Sequence, residues 1–161
     1  MHINSISIFP VLLSVPAIIV SCTSREPSPD GFIQEFIAIF NNLTKAADSC
    51  TSKDISPLMQ AWEDATKEVQ RLQEIYSNFT DEQKEEAENL SKGPDAKYSQ
   101  KGMDAVHNYE HALNNMAKNL DAASFSKNDR KAIRSTRRKM EAEFNKLDDL
   151  RSQWKQKKLN F

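Results

Sequence analysis

Two histidines one helical turn apart, His107 and His111, bracket Glu110 in the run His107-Asn108-Tyr109-Glu110-His111. Imidazoles at that spacing share one face of a helix and can both reach a divalent metal, while a neighbouring carboxylate can take a proton from metal-bound water. The chemistry on offer is metal-assisted hydrolysis. Only two ligands are supplied locally, however, and the later glutamates that could complete a shell are Glu141 and Glu143 alone. Val106 and Leu113 fall on the apolar seam of the same stretch, which predicts that His107 and His111 face solvent. The expectation is a surface pair, with no resident metal, no catalytic residue and no enzymatic activity.

A second group is electrostatic. Arg130, Lys131, Arg134, Arg137, Arg138 and Lys139 form the densest basic run, and Arg130, Arg134, Arg137 and Arg138 are spaced to share one side of a helix. Such a face suits an anionic partner. It lacks the interleaved aromatics on which single-stranded nucleic acid stacks, so no nucleic-acid partner is expected; anionic headgroups, cell-wall polymer or an acidic protein fit better, and a solvated face is the simplest alternative. Cys50 sits in the polar connection Asp48-Ser49-Cys50-Thr51-Ser52 with only Lys45 and Lys53 as nearby cations, and reads as an unreactive thiol.

The most specific chemistry lies at Cys22. Residues Ile6 to Val20 make an almost uncharged apolar run interrupted by Pro10 and Pro16, followed abruptly by polar sequence. That run is shorter than the roughly 20 apolar residues a spanning helix needs, so it reads as a cleaved export signal. Positive charge ahead of it comes only from the amino terminus and His2. Ile19-Val20-Ser21-Cys22 resembles the lipobox of bacterial lipoproteins. The resemblance implies cleavage between Ser21 and Cys22, a diacylglyceryl group on the Cys22 sulfur as the one covalent attachment, and an acylated new amino terminus. Thr23, standing where an Asp would retain a Gram-negative lipoprotein at the inner membrane, implies an outer-membrane anchor facing the periplasm. The His107 to His111 pattern is similar to that of inverted zinc proteases, which are much larger chains with a downstream glutamate as third ligand.

Positioning these groups requires helices. Three glycines in 161 residues and 28% charged residues fit an all-α, water-facing body better than a strand-rich one. Residues 1–21 are the expected signal peptide and 22–30 a lipidated tether, leaving 31–161 as one helical domain. A first helix carries Phe32, Ile33, Phe36, Ile37, Phe40, Leu43 and Ala47, with Asp30 as its expected cap. Ser56-Pro57 opens a second, whose seam of Leu58, Trp62, Ala65, Val69, Leu72, Tyr76 and Phe79 alternates spacings of four and three. Thr80 to Gln83 match a capping box and start a short acidic helix that Gly93-Pro94 closes. A third long helix has Val106, Tyr109, Leu113, Met116, Leu120 and Ala123 as its seam. The last, capped by Ser126 to Asp129, repeats Ile133, Met140, Leu147, Trp154 and Phe161 at sevens, with Arg137 and Arg151 where a second apolar row would fall.

The expected architecture is an antiparallel helical bundle of about four main helices plus one short one. Leu58 to Asp95 carries ten acidic and four basic residues, and Lys127 to Lys158 twelve basic and five acidic, so the acidic and basic helices should attract each other. The functional expectation is a lipid-anchored cell-envelope protein that binds another envelope or secreted protein without enzymatic activity. The alternatives are a small metal-dependent hydrolase using His107, Glu110 and His111, and an unlipidated secreted helical protein.

Overall fold

A computed structural model describes residues 27–92 and 96–159; the signal segment, Cys22, the Gly93-Pro94 stop and Phe161 lie outside the described residues. Among the described residues there are five α-helices and no strand: α1 (Pro29–Asp48), α2 (Ser56–Asn78), α3 (Asp81–Ser91), α4 (Ser99–Asn119) and α5 (Lys127–Leu159), with a 3-10 turn at Ala122–Ser124. None of these helices is long and apolar enough to cross a membrane.

The caps explain where the helices begin. Ser28, rather than Asp30, caps α1 by accepting the Gly31 N–H at 3.1 Å, and Pro29 takes a first-turn position where a missing N–H costs nothing. Asp30 sits inside the first turn instead and holds Lys97 and the Tyr98 hydroxyl at the start of α4. Ser56 is already helical; the carboxylate of Asp54 accepts its N–H at 2.8 Å and replaces it as the capping acceptor. The Thr80–Gln83 box forms as expected, with both reciprocal bonds present. Ser126 and Asp129 likewise exchange bonds of 2.8 and 3.2 Å at the start of α5.

Chain direction alternates along the four long helices, as the contacts between them show. The Glu35–Arg71 and Phe32–Phe79 pairs run α1 against α2, whereas Gln34–Tyr98 and Phe40–Tyr109 run α1 alongside α4, and Gln73–Glu143 and Asp81–Trp154 carry α5 alongside α2 and on to α3. The closest-packed neighbours are therefore the parallel pairs α1/α4 and α2/α5, joined by the antiparallel α1/α2 contact. Short α3 makes this arrangement work by carrying the chain beneath α1 from the end of α2 to the start of α4.

The α2 seam is buried at every expected position, with Leu58 and Val69 fully inaccessible. Burying one such side chain contributes about 1.5–3 kcal/mol. Trp62 is anchored in this seam by donating its indole N–H to the Tyr109 hydroxyl at 2.9 Å. In α1, Ile39 is buried although it stands off the expected stripe, because this helix is covered by α2, α3 and α4 together. The α4 seam keeps Tyr109, as expected, but its centre is turned toward one flank: Ala105 and Ala112 are buried with it, while Val106, Leu113 and Met116 are only half-buried. Two alanines let α4 seat tightly on α1, and that close approach selects the face. The helix also ends at Asn119, so Leu120 and Ala123 belong to the connection rather than to the seam.

Candidate functional site

Seating α4 on α1 leaves its other flank facing α5 across an unfilled gap. An apolar groove of about 410 Å³ opens there. Phe32, Ile33, Phe36 and Ile37 of α1 form its floor, Gly102, Met103 and Val106 its α4 wall, and Leu147 its α5 wall. Below Leu147 the aromatic cluster of Phe36, Phe40 and Phe144, with centroids 5.1 to 5.9 Å apart, ties α1 to α5 and closes the floor. Met103 is 58% exposed, and a Cβ at Gly102 would meet nothing within 4 Å, so the wall is open rather than occupied.

One end of the groove is ionic. Arg151 of α5 reaches across to Glu88 of α3 through Nε at 2.7 Å, and its Nη2 lies 3.4 Å from Ser91 Oγ. Lys155 and Lys92 approach the other Glu88 oxygen at 2.5 and 3.4 Å. Burial pushes the Glu88 carboxyl upward, but hydrogen bonds and charge from Arg151 and Lys155 outweigh it and hold the group below the usual carboxylate range. The Lys92 ammonium is held below its ordinary value, first by Lys155 beside it and then by burial. Beneath them the Tyr76 hydroxyl is buried with no hydrogen-bond partner among the described residues; burial, followed by the Glu88 charge, pushes it up to about 12. Glu88 and Arg151 are a pairing the sequence pattern does not reveal: Glu88 is one of five acids between Asp81 and Glu88 and looks like surface charge, and only the placement of α3 under α5 shows its partner.

The basic half of α5 behaves differently. Arg130, Arg134, Arg137 and Arg138 are all exposed, and of the cluster from Arg130 to Lys139 only Arg137 has an ion pair among the described residues, with Glu141 at 2.7 Å on its own helix. Arg134 donates to the Arg130 carbonyl at 3.2 Å. The acidic helix α3 meets only the far end of α5, through Arg151, Lys155 and Lys158. Among the described residues the expected attraction between acidic and basic helices is thus realised at one end of the bundle and not at the other.

His107 and His111 are exposed, with His107 and Glu110 at the far rim of the groove. His111 Nδ1 lies 3.1 Å from the Asn115 amide. Among the described residues no group of three or more His, Cys, Asp or Glu side chains is placed to hold a metal ion, and neither Glu141 nor Glu143 turns toward the histidines: they bond Arg137 and Lys146. The Cys50 thiol is half-buried, its S–H directed at the Ala46 carbonyl at 3.3 Å, and burial pushes its pKa up. That environment opposes thiolate formation. No family model matches the chain, no curated protein matches it, and no solved structure does.

Proposed function

We propose that the protein is a lipid-anchored, non-enzymatic binding protein of the cell envelope, held to the membrane through Cys22 and meeting an acidic envelope or secreted protein through α5. The observation that carries the binding reading is the exposed face of Arg130, Arg134 and Arg138, which no acid of the described residues neutralises. Like charges crowded on successive turns destabilise a helix by a few tenths of a kcal/mol per pair, so a bundle gains nothing by keeping them unpaired. An anionic partner gives them a counter-charge, speeds encounter through long-range attraction and leaves the bundle itself unchanged. Arginine suits this role because its planar fork grips carboxylates in pairs of bonds.

The anchor rests on the lipobox-like Ile19-Val20-Ser21-Cys22. A diacylated cysteine would hold the domain stably, whereas a single chain binds only reversibly. In a Gram-negative cell the location would be the outer membrane, facing the periplasm. Both halves are open to test. Metabolic labelling with a palmitate analogue should mark the wild-type chain and not Cys22→Ala; label that persists in the variant, or is missing from both, overturns the anchor. Affinity capture from solubilised envelope should recover a partner that the double variant Arg134→Glu, Arg138→Glu loses and that high salt releases. A partner retained equally by both would remove α5 from the interface.

A further inference from the structure

We infer that the groove between α4 and α5 binds a long-chain fatty acid, with the carboxylate at Lys92 and Arg151 and the acyl chain lying along Met103, Val106 and Ile37. The groove follows α4 from Ser99 to Glu110. At 1.5 Å of rise per residue that is about 16 Å, the scale of an extended acyl chain. Its volume of about 410 Å³ lies within the range of small-ligand pockets. The walls between the two ends are apolar side chains, as an acyl chain requires.

The head end is selected by charge. Lys92, Arg151 and Lys155 surround a single carboxylate, Glu88, leaving two positive charges in excess among the described residues. The three cations oppose one another, which is why the Lys92 ammonium is held below its ordinary value. Lys92 is the member free to turn: its side chain is 61% exposed and it lines the groove together with Ser91 and Arg151. A carboxylate placed there gains a charge-assisted bond and relieves the repulsion. At the opposite rim Glu110 would repel an anionic head, which fixes the orientation of the chain.

The test is photo-crosslinking of the full chain, in non-ionic detergent, with a long-chain fatty acid carrying a diazirine near its methyl end. Adducts should concentrate on Ile37, Met103 and Val106, and unlabelled fatty acid should compete where its methyl ester and the alkyl amine of equal length do not. Lys92→Gln should lower groove labelling about tenfold, the equivalent of one charge-assisted bond. Met103→Asp should lower it comparably while leaving the circular dichroism melt unchanged, because Met103 is largely exposed. Adducts scattered over the surface, an ester that competes as well as the acid, or yields unaffected by both substitutions would overturn the assignment. So would concentration-dependent self-association that Met103→Asp abolishes, since the groove would then belong to a second copy of the chain.

Discussion

Replacing Glu88 by Gln removes the carboxylate on which Arg151, Lys155 and Lys92 converge, and its cost can be set from the exposures. The side chains of Glu88 and Arg151 are 10% and 18% exposed, so their 2.7 Å bond is largely desolvated and contributes about 1.5–3 kcal/mol. Lys155 and Lys92 are more exposed and add at most about 1 kcal/mol between them. Glutamine keeps the shape but turns an amide N–H₂ toward donors, so about 2–3 kcal/mol should be lost, short of the 3–5 kcal/mol for breaking a fully buried pair. In urea the midpoint should fall with an unchanged slope, and in a thermal scan the melting temperature should drop by about 6–10 °C. The exposed pair Glu85–Lys158 is the internal control, and Glu85→Gln should change stability by less than about 0.5 kcal/mol. The effect also has a defined pH dependence. Glu88 titrates lower folded than unfolded, so its contribution is complete above the unfolded carboxylate range, about pH 4.3, and disappears as pH falls through the lower folded value. Wild type and Glu88→Gln should therefore converge in acid. Equal losses from Glu88→Gln and Glu85→Gln, or a gap between wild type and variant that persists at low pH, would refute the reasoning.

Two further substitutions read out the packing. Tyr109→Phe leaves the Trp62 indole N–H buried without its 2.9 Å acceptor and should cost about 1–3 kcal/mol by chemical denaturation, with a shift in tryptophan emission; an unchanged midpoint would mean the bond carries no weight. Gly102→Ala places a methyl group in open space within α4 and should stabilise the fold by about 0.5–1 kcal/mol, visible as a raised melting temperature.

How much of this was legible in the sequence depends on what each residue needed to know. The α2 seam could be read residue by residue, because one helix face packed on one side carries its own period from Leu58 to Phe79. Where register depends on the neighbour, periodicity was not enough. Val106 and Leu113 are larger and more apolar than Ala105 and Ala112, so pattern matching places them inward, yet the preference for close approach to α1 buries the alanines. That partial turn of the helix also opens the groove, since it leaves Val106 and Met103 facing a gap that α5 does not fill. Ile39 falls outside the periodic stripe for a related reason: a helix covered on several sides has no clean polar face. Arg137 and Arg151 both interrupt the last stripe, and nothing in that pattern separates their fates. Arg137 stays exposed with a partner on its own helix, and Arg151 turns inward to Glu88, a contact between residues 63 positions apart.

These positions share a cause that bears on function. Helix α5 has 33 residues, ten more than α2, and only Met140, Glu143 and Leu147 are buried along it. Its apolar contact, through Met140, Phe144 and Leu147, lies in the middle of the helix. Its lower half is also tied by Arg151, Trp154, Lys155 and Lys158 to the acids of α3, and Gln73 bonds Glu143 midway. Above Met140 only Ile133 and Thr136 are even half-buried, so the segment that bears the arginines is fixed by continuity with the rest of the helix more than by contacts of its own. A rigid rod anchored at one end presents its charges in a constant spacing at little entropic cost on binding. The same division leaves the ionic anchor at Glu88 adjoining the groove and the arginine face distant from it, so that substitutions at Arg134 and Arg138 should leave the urea midpoint where it is, while those at Glu88 should move it.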